Sequence, residues 1–495
     1  EKLEPNVFWY ITETSALWWQ PEVKRADQAL TREWAKRCQH LSRYDYYGFA
    51  CISPRFYPHL MAEQVKYDKS LGLEGMYTEV YTFLPQTAPM IWAFARLQWD
   101  ASLDVDALLG EFYRRMYGRA ARTMESYYDL MERAYMSPRP DHGGWEHRRL
   151  KAMAAAISPE ALQEGMGLLQ RARREADSDA ARRRIEIVRD SLRYGGYAIQ
   201  TYALSNQLER SKIHDQGSAK DALRKLLELA RVARERDRYW SAALRRDDLL
   251  GETLRGLTDV GYMSTGQAPQ LEAGGAAAAL RLVAWYAAKR PESQDEVLAR
   301  LQSEGRGASF LEGVTGWLWV QREQPPDLAV NGDFEQTSSS AGAAEMDWVT
   351  ADTPAGWSRW TSQDGTRFET LAGRGRNGST AVAISGGASA VYIQNLPVRP
   401  GERYLVACWT CDEPSGADAR ASLAVRFRTS AGAWHPRRDL ERQVERPAGD
   451  RGWQPLILQL TVPDGAATMT VMPGVQGQAS GVRALFDDVS VYRLP

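Results

Sequence analysis

Three acids, Glu13, Asp45 and Glu79, end three short apolar stretches, YITE, RYD and MYTE. Each stands near aromatic residues: Trp18 and Trp19 follow Glu13, Tyr46 and Tyr47 follow Asp45, and Tyr77 and Tyr81 bracket Glu79. Paired carboxylates can break a glycosidic bond, one protonating the leaving oxygen while the other acts as nucleophile or base. Rings of Trp and Tyr beside them offer an apolar face to sugar C–H groups and a polar edge to hydroxyls. The plainer reading is that each acid caps the helix after it, because Asp and Glu favour helix N-termini. His40 and His59 are close in sequence, and a single His more often serves structure than chemistry.

The elements that must position these acids follow from pattern. Strand-like runs over 6–12, 41–50 and 73–81 alternate with helical runs over 25–38, 57–72 and 89–100. That alternation predicts βα units and a parallel sheet. In such sheets sites gather at the C-terminal strand ends, where the three acids stand. Residues 1–100 thus form a first region. Residues 101–322 read as helical, with apolar steps of three and four over 104–135. Ser158-Pro159-Glu160 opens another helix with a cap and a first-turn proline. Further helices are expected over 179–211, 218–246, 275–290 and 293–303. REQPPDLAV, over 322–330, is a linker. From 328 to 495 short strands alternate with Gly, Pro, Asp and Ser turns, which predicts an antiparallel β-sandwich.

The totals narrow the classes. A chain of 495 residues needs more than one core. Its net charge of −1 leaves no basic face for nucleic acid. With 17 Trp and 22 Tyr against 11 Phe, the aromatic surplus suits carbohydrate contact as well as large cores. Cys408 and Cys411 form a C-x-x-C on a strand, where residues three apart face opposite sides, so neither zinc nor redox chemistry is expected. No run approaches the roughly 18 apolar residues of a membrane span. The chain opens on EKLEPNVFWYITE, with no initiator Met and no leader before its first strand, so a processed or partial chain is expected.

LSRYDYYGF, GLEGMYTEVY and WAFARLQWDASLDVDALLGEFYRRMYG together resemble the end of a glycoside-hydrolase-like barrel and the helices after it. The family is a large one of mostly uncharacterised bacterial proteins, with a domain of unknown function, distantly similar to α-glucuronidases. The resemblance spans roughly 5–140. It implies the last three βα units of a (β/α)₈ barrel, with the other five lying before residue 1. It also implies an acid of the last strands, Asp45 or Glu79, in the hydrolytic pair. With an acid of the middle strands absent, this chain alone would be inactive.

LAVNGDFE at 328–335 and FDDVSVYRL at 486–494 enclose the third region. They resemble carbohydrate-binding modules of the family 4 and 9 type. The resemblance implies a jelly-roll (galactose-binding-like) sandwich whose first and last strands pair, and a structural calcium ion near Glu335 and Asp487, residues that otherwise would only hold turns. Trp348, Trp360, Tyr392, Trp409 and Trp434 are the candidates for sugar contact, with Trp409 equally suited to the core and Trp357 assigned to it. The expected function is hydrolysis of a complex polysaccharide without a catalytic cofactor. The alternative is a non-catalytic glycan-binding or cell-surface protein. Either implies a polysaccharide or oligosaccharide partner and an extracellular, periplasmic or cell-surface setting.

Overall fold

The computed structural model describes residues 4, 6–12, 14–48, 53–80, 84–137, 154–252, 254, 268–336, 353–414, 419–437, 440–446, 452–478 and 481–495. The chain divides into two compact units, Glu1–Ala203 with Arg238–Met263, and Leu204–Asp237 with Ser264–Pro495.

In the first unit, β1 (Phe8–Ile11), β2 (His40–Gly48) and β3 (Met76–Val80) form a parallel sheet in that order. Parallel neighbours need a crossover, and helices α1 (Pro21–Ala35) and α2 (Pro58–Ser70) provide one each. Both start on a proline, whose fixed φ suits the first turn and whose missing N–H is not needed there. Helix α3 (Leu84–Trp99) begins earlier than the pattern suggests. The helical run over 104–135 forms two helices, α4 (Val105–Tyr117) and α5 (Ala121–Tyr135), because Gly118 takes a φ of 55° and turns the chain. Helix α6 (Pro159–Glu175) starts as expected, with Ser158 Oγ accepting from Ala161 N at 3.1 Å. Phe56, Tyr57, Met90, Tyr127, Tyr128 and Leu192 belong to one buried cluster. The three parallel strands agree with the three βα units read from the pattern, and a (β/α)₈ barrel is not shown.

Helices α7 (Asp179–Arg210), α8 (Gln216–Leu244), α9 (Ala268–Lys289) and α10 (Gln294–Glu304) fall close to their expected places. A further one, α11 (Ser309–Glu323), was not foreseen. In the second unit, Leu226, Leu229, Leu282 and Leu311 share a core between helices.

The same unit holds the sandwich. One sheet has the order β10-β9-β12-β7-β4, the other β11-β8-β13-β6-β5. Their ranges are β4 (Ser358–Thr361), β5 (Arg367–Leu371), β6 (Ala381–Ser385), β7 (Ser389–Pro397), β8 (Arg403–Glu413), β9 (Ala421–Arg428), β10 (Arg442–Glu445), β11 (Gln454–Thr461), β12 (Thr468–Gln476) and β13 (Arg483–Leu494). Every pairing is antiparallel. Val406, Cys408, Val425, Phe427, Val471 and Phe486 face inward into one core. The opening segment runs beside the last strand, with Leu328 N donating to Val491 O at 2.8 Å and Val489 N to Gly332 O at 2.9 Å.

Helix α11 lies on the outer face of the second sheet. Val320 buries with Leu405 and Leu494, and Trp317, Trp319, Ile457 and Tyr492 pack around them. Gly316 permits the approach, since a Cβ there would meet Leu405 Cδ1 at 3.0 Å. The boundary expected at 322–328 therefore shifts, because residues before the linker pack on the sandwich after it.

Candidate functional site

Asp45 was expected at a rim, yet its side chain is fully buried. Its Oδ2 accepts from Ser15 N at 2.9 Å and Ser15 Oγ at 3.1 Å, and its Oδ1 accepts from Tyr46 N at 2.6 Å. Gln64, its amide oriented to satisfy both ends, donates to Oδ2 at 2.8 Å. Burial pushes the Asp45 carboxyl up from its ordinary pKa, against the pull of the Ser15 and Tyr46 amides. Beneath it Arg43, also fully buried, bonds Asp68 through Nε at 2.6 Å and Nη2 at 3.0 Å, and Asp27 through Nη1 at 3.1 Å. This is an interior ion network joining β2 to α1 and α2. Asp45 fastens the turn after β1 and does not reach solvent.

Glu79 points the other way. Tyr44 pairs with Tyr77 and Asp45 with Thr78 across β2 and β3. Side chains alternate along a strand, so Tyr44, Tyr46, Tyr77 and Glu79 share one face while Asp45 and Tyr47 share the opposite one. Tyr44 OH donates to Glu79 Oε1, and this bond is the main cause of a raised Tyr44 pKa. The Tyr44 ring lies 4.8 Å from Tyr46 and 4.9 Å from Tyr77, whose side chain is 54% exposed. Asp45 and Glu79 thus cannot flank one bond, and the expected pair is corrected by strand parity. Glu13 and Tyr81 lie outside the described residues. Two of the expected sugar platforms are core residues: Trp18 is buried with its Nε1 donating to Asp27 Oδ2 at 2.8 Å, and Tyr47 is buried against Phe94. Trp19 is half-buried against the same core.

His59 clamps the start of α2. Its Nδ1 meets Glu132 Oε2 at 2.7 Å, its Nε2 meets Asp106 Oδ1 at 2.9 Å, and its backbone N donates to Glu132 Oε1 at 3.1 Å. The Glu132 bond is the main reason that its pKa is pushed up to about 9.

On the sandwich, α11 covers part of the outer face of the second sheet, around Leu405, Ile457 and Leu494. Alternation puts Trp360, Val391, Ile393, Asn395, Thr468, Arg426 and Arg428 outward on the sheet β10-β9-β12-β7-β4. Trp360 is 47% exposed on edge strand β4. Trp434 bridges to Arg428 at the opposite side of the sheet. Trp360 pairs with Val391 of β7, whereas the row of Arg428 and Thr468 meets Pro397, six residues further on. The two tryptophans therefore stand at opposite corners, separated by about 20 Å along the strands. The Trp434 ring is already engaged by Arg426 and Arg428, 4.1 and 3.9 Å from its centroid. Alternation gave no hint of that pairing, although the spacing R-F-R before a turn could have suggested it. Trp409 is not in the core. It lies on the outer side of the second sheet with Arg376 at 3.7 Å over its ring, apart from the other two. Tyr392 is buried core, Trp357 is buried as expected, and Trp348 is outside the described residues.

Glu335 and Asp487 converge on one turn. Glu335 accepts from Thr380 N at 2.6 Å and Thr380 Oγ1 at 2.9 Å. Asp487 Oδ2 accepts from Arg376 N and Ser379 Oγ, each at 2.7 Å. Burial pushes Asp487 up to about 6. A Cβ added at Gly375 would run into Ser379 Oγ, Asp487 Oδ2 and Thr380 O, so three oxygens close on that point. Among the described residues no three acid, His or Cys side chains form a metal-binding group.

Residues 2–129 match a family model described as a domain of unknown function, DUF4838. No curated protein matches the chain. Similar solved structures include the enzymatically active domain of bacteriophage CBA120 tailspike protein 4, 16% identical over 34% of this chain and 21% of that one, TM-score 0.26. The chain thus spans about a fifth of that domain's length. Another, titled "CBM4 structure and function", is 17% identical over 33% of this chain and 99% of that one, TM-score 0.24. A third is the CBM22-1 xylan-binding domain of Paenibacillus barcinonensis Xyn10C, 15% identical over 34% and 95%, TM-score 0.25. No described helix is long and apolar enough to cross a membrane.

Proposed function

We propose that this chain binds a polysaccharide or oligosaccharide on the outer face of the sheet β10-β9-β12-β7-β4. One observation carries the reading: the outer face of this sheet presents exposed Trp360, Asn395 and Pro397 with half-buried Thr468, whereas α11 covers part of the other outer face. An exposed indole on a face that carries amide and hydroxyl groups further along the strands is the mixed surface that a sugar chain needs. A structural calcium ion belongs to the same proposal. Glu335 and Asp487, with the oxygens that converge beside Gly375, would hold it, and hard oxygen donors suit it. Its service would be to fasten the turn at 375–380. The setting is extracellular, periplasmic or the cell surface.

Hydrolysis is the second reading, favoured by the face that joins Glu79 to Tyr44, Tyr46 and Tyr77. It takes the three parallel strands as the end of a (β/α)₈ barrel, with Glu79 in the hydrolytic pair and a partner other than Asp45.

Titration of the whole chain by calorimetry against soluble glycans tests the first reading. Binding that weakens about tenfold in Trp360→Ala is expected, the loss of about 1.4 kcal/mol that one stacking ring can supply. Binding to none of the glycans ends it. Release of reducing ends that disappears in Glu79→Gln would support the second reading, and release unchanged in that variant would end it.

A further inference from the structure

We infer that the outer face of this sheet takes an acidic glycan, with Arg428 receiving a uronate carboxylate. The inference rests on the glycan-binding reading and adds the charge of the ligand. Arg426 and Arg428, two residues apart on β9, share the outer face. Both guanidinium groups lie over the Trp434 ring, at 4.1 and 3.9 Å. A cation over an indole is held by the ring quadrupole. The contact also fixes the guanidinium, so less freedom is lost when a ligand arrives.

The two arginines differ in their counter-charge. Arg426 Nε donates to Glu441 Oε1 at 2.8 Å. Arg428 has no carboxylate partner among the described residues. Its Nη1 donates to Gly432 O at 3.2 Å, while its Nε, buried, has no acceptor. The remaining charge is therefore concentrated on Arg428.

The loop that carries Trp434 is pinned. Thr429 N donates to Ala433 O at 2.9 Å and His435 N to Phe427 O at 2.9 Å. Arg437 N donates to His435 Nδ1 at 3.2 Å, which leaves Nε2 as the protonated nitrogen, 3.0 Å from Asp464 O. Asp464 engages this loop through its backbone carbonyl and does not neutralise Arg428.

In register with Arg428 stand Thr468 and then Pro397. The row offers a fixed cation, a hydroxyl and an apolar ring across three adjacent strands, about 10 Å in all. A uronate residue presents the complement: a carboxylate, hydroxyls and a C–H face. Guanidinium and carboxylate form charge-assisted hydrogen bonds of the stronger kind.

The test is calorimetry of the whole chain with polygalacturonate and alginate, each beside its carboxyl-reduced form, and with dextran sulfate. At least one uronate polymer should bind tenfold or more tightly than its reduced form. The advantage should shrink at 1 M salt, vanish in Arg428→Gln and survive in part in Arg428→Lys. Equal affinity for a uronate polymer and its reduced form overturns this inference and leaves glycan binding intact. Tighter binding of dextran sulfate than of either uronate overturns the carboxylate assignment. Binding of no polymer ends both readings. If Arg428→Gln does not fold, the ratio of acidic to reduced polymer in the unaltered chain, with its salt dependence, decides.

Discussion

Two strands carry similar chemistry and use it differently. In β2 the run RYD places Arg43 and Asp45 on one face. In β9 the run RFR places Arg426 and Arg428 on one face. Arg43 lies beneath α1 and α2, fully buried, with two carboxylates on its guanidinium. Arg428 meets a half-exposed indole and no carboxylate among the described residues. A charge removed from water must be matched at once, whereas a charge at the surface can wait for a ligand. Position beneath a helix therefore decides whether an arginine is a fastener or a receptor.

The largest effect that would break this contrast is the loss of Arg43. Arg43→Met leaves Asp27 and Asp68 buried without their cation and should cost about 3–5 kcal/mol, read from urea midpoints. A loss as small as that of a surface arginine would mean that the network is not sealed.

Acid titration sharpens the comparison in the sandwich. Folding raises the Asp487 pKa to about 6, from an unfolded value of about 4. The native state thus holds this proton more tightly. The resulting stability is full below pH of about 4 and is lost as pH rises through about 6, by at most about 2–3 kcal/mol. Midpoints measured from pH 4 to 7 with a chelator present, so that no calcium ion holds Asp487, should show this slope in the native sequence and a flatter one in Asp487→Asn.

The smallest effect comes from His59, which is also raised, to about 9. Its stabilising proton is fully bound below about pH 6.5 and lost as pH rises through about 9. Its side chain is 45% exposed, so screening reduces the effect to about 1 kcal/mol. His59→Gln should remove that alkaline slope and leave the acid one.

Much of the fold was legible. Helices α1, α2, α6 and α7 follow from caps, prolines and spacing, and seven sandwich strands follow from alternation between turns. Strands β4, β5 and β10 give no such signal, because SRWT, RFETL and RQVE are short and polar, as edge strands can be. Helix α11 was missed because SFLEGVTGWLWV has two glycines, which weaken the helical signal while serving close packing on the sheet. The site was harder to read. Alternation within RYDYY already separates Asp45 from Tyr44 and Tyr46. The side on which Glu79 falls depends on the register between β2 and β3, and no single strand encodes it. Likewise Trp434 looked like a bare turn residue, since only folding brings it over arginines six and eight positions earlier.

Helix α11 also fixes what can be moved as a piece. The proline-rich stretch after it looks like the natural place to cut, but the sheet beyond would then lose its lid. Leu405, Ile457, Tyr492 and Leu494 would form a bare apolar strip, inviting copies to stick to one another. A gene rearrangement, or an engineer, that grafts this sandwich elsewhere must carry the helix along. The smallest inheritable cassette begins no later than Ser309.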